Sequence, residues 1–168
     1  MYLFLEGNDD ERFFDCVIRS LLVKKYGRVK TVQYARDSPK TTKRFLRSIR
    51  AMGDEYILVK DINDAPCITV SKKKAVNKYQ ADSGNIIVIV KEIESWYMCG
   101  LDDKCCKKLG IEGKIGDANL ARKEHFDKMV PRGISRIEFM QQILEKYNIE
   151  IGEQKNKSLH YFARKWLG

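Results

Sequence analysis

The sequence predicts an α/β fold, a mainly parallel sheet of four strands flanked by helices, with a helical C-terminal extension. Three observations carry this expectation. Short β-rich runs alternate with amphipathic helical runs over roughly the first 95 residues. The fourth run, Ile86-Ile87-Val88-Ile89-Val90, is apolar throughout, as expected of a central strand covered on both faces. Beyond about residue 100 the apolar spacing is helical. Strands alternating with helices imply parallel pairing through right-handed crossovers. The 168 residues suit one domain, with residues 1–100 as the core sheet and 101–168 as the extension.

Residues 2–5 read as a buried first strand. Asn8 then resembles a helix cap, with Glu11 three positions on as in a capping box. Phe13, Phe14, Val17, Ile18, Leu21 and Leu22 follow at helical spacing, and Gly27 ends that helix. Residues 29–35 read as the second strand. Ser38-Pro39 opens a helix whose apolar stripe is Phe45, Leu46, Ile49 and Met52, closed by Gly53. Residues 56–60 form a third strand ending in Asp61, a helix is expected over about 65–80, and residues 86–91 form the fourth strand. Ser135-Arg136-Ile137-Glu138 is a capping box leading into another helix, and Leu159, Phe162, Ala163 and Trp166 mark a last one. Residues 102–128 have the weakest pattern, either an exposed basic loop or short helices.

Composition narrows the function classes. No apolar run has the length of a membrane-spanning helix, and the start of the chain reads as a strand, not a signal peptide, so a soluble cytoplasmic protein is expected. The five cysteines are odd in number and none stands in a C-x-x-C pair, which argues against zinc and disulfide frameworks. The formal charge of +9 favours polyanionic partners, nucleic acid first among them. Oligomeric state is left open.

Three of the four predicted strands end in carboxylates. The first gives Glu6, followed by Asp9 and Asp10; the third gives Asp61-Ile62-Asn63-Asp64; the fourth gives Glu92-Ile93-Glu94. Ligands of open α/β sheets bind outside the carboxyl ends of the strands. Residues two apart on an extended chain point the same way, so Asp61 with Asn63, and Glu92 with Glu94, are expected to face a common site. Clustered carboxylates repel one another, and a divalent cation relieves that cost. Hard oxygen donors without prominent histidine suit Mg²⁺ or Mn²⁺.

Leu3-Phe4-Leu5-Glu6-Gly7-Asn8-Asp9-Asp10 resembles the first motif of Toprim domains, a strand ending in Glu-Gly with an acidic residue soon after. Leu58-Val59-Lys60-Asp61-Ile62-Asn63-Asp64 is similar to the second, a strand ending in Asp-x-Asp. Lys91-Glu92-Ile93-Glu94-Ser95-Trp96-Tyr97 resembles a segment of a group of small Toprim-like proteins, and the extra acidic motif in the nuclease half of OLD-type proteins. Asn156-Lys157-Ser158-Leu159 fits the same small group. The resemblance covers roughly the first 100 residues and implies a compact Rossmann-like sheet that binds divalent metal and acts on phosphodiester bonds. It implies Glu6 as metal ligand or general acid/base, Asp61 as the main metal ligand, Asp10 as a further ligand, and Glu92 or Glu94 for a second ion. Asn63 departs from the pattern by standing where the second Asp is expected, with Asp64 as a substitute at another angle.

Three functional readings follow: a metal-dependent nuclease or phosphodiesterase, a non-catalytic nucleic-acid or protein binding module with a degenerate site, and a receiver-like phosphoacceptor domain. Lys72-Lys73-Lys74, Arg132 and Arg136 are candidate phosphate contacts or solvated surface. His125 and His160 are isolated and read as surface histidines, and Trp96 and Trp166 as core.

Overall fold

A computed structural model describes residues 1–111 and 117–168. The chain forms two compact units, Met1–Ile89 and Val90–Gly168. The first is a Rossmann-like α/β layer structure. Its four strands, β1 (Tyr2–Leu5), β2 (Lys30–Gln33), β3 (Tyr56–Asp61) and β4 (Ile86–Ile89), pair in the order β2-β1-β3-β4, all parallel. The register sets Phe4 beside Val32 and Leu58, and Asp61 beside Ile89.

Each crossover is a helix. A continuous helical run passes through α1 (Asn8–Phe13), a π-helical turn (Phe14–Ile18) and α2 (Arg19–Tyr26), and ends at Gly27, whose φ of 74° suits glycine. The next crossover is α3 (Pro39–Ala51), capped by Ser38, whose Oγ accepts the Thr41 N–H. The third is α4 (Ile68–Tyr79). The first crossover runs one way along the sheet and the other two run back, so right-handedness puts α1–α2 on one face and α3 with α4 on the other. Strand alternation agrees. Phe4, Tyr56, Leu58, Ile86 and Val88 pack with Leu46 and Ile49 of α3 and Ala75 and Tyr79 of α4. Leu3, Leu5, Ile57 and Val59 are also buried, so the central strands are covered on both faces.

The second strand, expected over 29–35, ends at Gln33, and Tyr34–Arg36 form a 3-10 turn. Three further boundaries differ from the sequence expectation, each for a local reason. The cap of α1 is Gly7, one residue earlier, because Asp10 turns back and accepts the Gly7 N–H at 3.1 Å. Glu11 is held instead by Gln33, whose Nε2 donates to it and to Asn8 Oδ1. The third crossover helix starts at Ile68 because Asn63, at φ 49°, turns the chain after β3, and Cys67 is still extended. The fourth strand stops at Ile89: Lys91 has φ 69°, while Ser158 Oγ accepts the Val90 N–H and Ser95 Oγ donates to the Val90 carbonyl.

The second unit is helical: α5 (Glu94–Cys99), α6 (Asp103–Lys108), α7 (Lys123–Met129), α8 (Arg136–Leu144), α9 (Ile149–Lys155) and α10 (Lys157–Trp166). The weakly patterned stretch 102–128 is thus short helices where it is described, and residues 112–116 lie outside the described residues. Every residue of α5 is buried, and it packs against α7, α8 and α9. Two segments singled out in the sequence interlock here. Trp96 Nε1 donates to Ser158 Oγ at 2.9 Å, and Asn156 Oδ1 caps α10 by accepting the Ser158 and Leu159 N–H groups. The Asn-Lys-Ser-Leu segment therefore has a structural task, anchoring the last helix to the central one. No helix among the described residues is long and apolar enough to cross a membrane.

Candidate functional site

The order β2-β1-β3-β4 reverses direction between β1 and β3. Side chains at the carboxyl ends of those two strands flank the crevice where open α/β sheets hold ligands. Glu6 follows β1 directly and Asp61 ends β3. The structure brings them together: the Asp61 N–H points at Glu6 Oε2 at 3.5 Å. Asp10, one turn into α1, is buried, with Oδ2 on the Gly7 N–H. Its neighbours in the acidic run are used locally, Asp9 by Arg12 at 2.6 Å and Glu11 by Gln33.

Two residues that the sequence reading passed over belong to this site. The buried Tyr34 follows β2, and its hydroxyl lies 3.0 Å from Glu6 Oε1 and 3.1 Å from the Val59 carbonyl. Burial and then the Glu6 charge push this hydroxyl far above the usual tyrosine range, so it remains a donor at every working pH. Lys60 is half-buried, and its Nζ donates to the Asp61 carbonyl at 2.6 Å and to the buried Ser71 hydroxyl of α4 at 3.0 Å. Burial lowers its pKa, opposed by the Glu6 and Asp61 carboxylates. The only signals in sequence were a tyrosine closing a β-rich run and a lysine in an otherwise apolar strand.

Tyr34→Phe is expected to cost about 1–2 kcal/mol of stability, since Glu6 and the Val59 carbonyl both lose a partner of low exposure. Urea denaturation of the two proteins measures this.

Asn63 and Asp64 are exposed. Asn63 adopts the left-handed region, which asparagine tolerates better than most residues, and its Nδ2 donates to the Asp61 carbonyl at 3.2 Å. That turn gives a conformational reason for Asn in place of the expected Asp.

Glu92 and Glu94 belong to the second unit and do not share an extended run, because Glu94 opens α5. Glu92 Oε2 accepts the Lys123 N–H. Glu94 is buried and bonds the Arg136 guanidinium, which also reaches Asp127 at 2.9 Å and lies over the Phe126 ring. Arg136 thus has partners inside its own unit, whereas Arg132 is exposed. Lys73 and Lys74 are exposed and Lys72 is half-buried on α4. His160 lines a polar cleft of the second unit with Asn119, Glu150, Glu153, Lys155 and Lys157, its Nδ1 3.9 Å from Glu153.

Among the described residues no three His, Cys, Asp or Glu side chains group as a ready metal cage. Magnesium does not require one. It keeps several waters and is often bound by one or two carboxylates together with substrate phosphates. Glu6 and Asp61, hard oxygen donors on neighbouring strand ends, suit that mode.

The fold is an all-parallel α/β unit, with Glu6 and Asp61 at the strand ends that flank its topological switch point. Comparison with models of known families, with curated proteins and with solved structures found no match.

Proposed function

We propose that this protein is a Toprim-like, divalent-metal-dependent nuclease or phosphodiesterase acting on nucleic acid. The observation that carries the reading is that Glu6 Oε2 accepts the Asp61 backbone N–H at 3.5 Å, which sets the two residues side by side at the β1/β3 switch point. Glu6 and Asp61, with Asp10 beside them, would hold Mg²⁺ or Mn²⁺, which supplies Lewis acidity toward a phosphate oxygen. The chain's own groups have separable tasks. Tyr34 fixes one oxygen of Glu6 and so orients its carboxylate. Lys60 places a positive charge beside the two carboxylates and ties the Asp61 carbonyl to Ser71 of α4. It both limits the repulsion between Glu6 and Asp61 and favours an approaching phosphate. A one-cation site needs neither Glu92 nor Glu94.

The non-catalytic binding module draws on Asn63, but the turn at that residue gives asparagine a role without invoking decay. The receiver-like alternative draws on the same strand order and leaves Glu6 and Tyr34 without a role.

Labelled single- and double-stranded DNA and RNA, incubated with the full chain and Mg²⁺, Mn²⁺ or chelator, test the reading. Cleavage that requires the cation is expected. Folded protein that cuts none of them, or cuts equally in chelator, would overturn it.

A further inference from the structure

The helices α3 and α4 lie side by side on one face of the sheet. Between Pro39 and Ala51, and between Ile68 and Tyr79, there is no Asp or Glu. The same two helices carry five cations on α3, Lys40, Lys43, Arg44, Arg47 and Arg50, and four on α4, Lys72, Lys73, Lys74 and Lys78. The chain as a whole holds 32 basic to 23 acidic residues, so a layer with basic residues only is a local concentration, not the average.

Helical geometry sets where these charges point. Thr42, Leu46 and Ile49 are the buried stripe of α3. At 100° per residue Lys40, Arg44 and Arg47 fall on the opposite side, and all three are exposed. The seven helical steps from Lys40 to Arg47, at 1.5 Å rise each, make this row about 10 Å long. Lys73, Lys74 and Lys78 of α4 are exposed, with Lys73 on the side opposite the buried Ser71, Ala75 and Tyr79. Three members of the set have partners: Arg50 donates to the Gln80 carbonyl at 2.7 Å and pairs with Asp82, Lys72 donates to the Ser83 carbonyl, and Lys78 lies over the Tyr79 ring. Among the described residues Lys40, Lys43, Arg44, Arg47, Lys73 and Lys74 meet no carboxylate. Like charges at this density repel, and a polyanion relieves that repulsion while releasing its own counterions.

We propose that the outer face of the α3–α4 layer is the docking surface for the phosphodiester backbone of nucleic acid, with Lys40, Arg44 and Arg47 as its main contacts. An anionic membrane is the poorer occupant, because the apolar side of α3 is spent in the core and cannot insert among lipids. The proposal deepens the nuclease reading by naming where the substrate backbone lies, but binding at this face needs no metal.

The test is fluorescence anisotropy of a labelled oligonucleotide with the full chain in chelator, over a range of salt. The wild type is compared with the K40Q/R44Q/R47Q variant, whose fold is checked by thermal denaturation. Loss of at least tenfold in affinity is expected, with a log–log salt slope shallower by about two to three, given roughly 0.7–0.9 per phosphate contact. Should that variant not fold, Lys73→Gln with Lys74→Gln is expected to flatten the slope by about one to two. A folded triple variant with unchanged affinity and slope would overturn the proposal. So would wild type that binds phosphatidylserine vesicles but no oligonucleotide. Salt-dependent binding without cleavage would leave the surface standing and remove the nuclease reading; cleavage unaffected by the triple variant would do the reverse.

Discussion

Asp61→Ala is expected to reduce cation-dependent cleavage on the order of 10³-fold, about 4 kcal/mol of lost transition-state stabilisation. Asp61 ends β3 beside Glu6, and its backbone alone is held by three partners: Glu6 on the N–H, Lys60 and Asn63 on the carbonyl. Those bonds survive the substitution, so the turn should persist while the carboxylate is lost. Asp61→Asn separates charge from size. If the carboxylate holds the cation, the Asn variant should be nearly as inactive as Ala, since its amide offers one neutral oxygen. Cleavage rates at saturating Mg²⁺ and at tenfold higher Mg²⁺ measure this. Recovery by excess cation would place Asp61 in binding, and no recovery would place it also in the chemical step.

Arg136→Ala has the largest expected effect on folding, a loss of about 3–5 kcal/mol, as when one partner of a buried ion pair is removed. Glu94 is buried at the start of α5, itself the central helix of its unit, and Arg136 bonds it from the first turn of α8. Removing the guanidinium leaves that carboxylate to be protonated or exposed. The pair Glu94→Gln with Arg136→Met, of similar volume, should recover a large part of the loss. Guanidinium denaturation of the wild type, Glu94→Gln, Arg136→Met and the double variant completes the cycle, with Arg136→Ala measured beside them. A change in nucleic-acid affinity with no loss of stability would instead favour Arg136 as a phosphate contact.

The four strands, their parallel pairing and the helices between them were legible because burial writes itself into local patterns. β4 is apolar along its length, and α3 shows its Ser-Pro start and, in Leu46 and Ile49, the centre of its stripe; Met52, expected in that stripe, is instead the exposed C-cap. The ends of elements were less legible, since they depend on distant partners. β4 is cut short by Ser158 and Ser95, neither of which a local window connects with Val90. The pair Glu6 and Asp61 could be read from its strand-end positions. Tyr34 and Lys60 could not, because a tyrosine after a strand and a lysine within one acquire meaning only once the sheet order sets them beside Glu6 and Asp61. Glu92 and Glu94 looked alike in sequence, two apart after an apolar run. The positive φ at Lys91 and the start of α5 give them different surroundings.

The most direct test of the central claim, that Glu6 and Asp61 hold a divalent cation, is Mn²⁺ binding followed by electron paramagnetic resonance. Mn²⁺ is titrated into the full chain with and without a cleavage-resistant phosphorothioate oligonucleotide, beside Glu6→Gln and Asp61→Ala. The expected result is uptake of Mn²⁺ by the wild type, tighter with the oligonucleotide because substrate phosphates complete the shell, and loss of that uptake in both variants. Folded wild type that takes up no Mn²⁺ even with the oligonucleotide, or equal uptake by the variants, would contradict it.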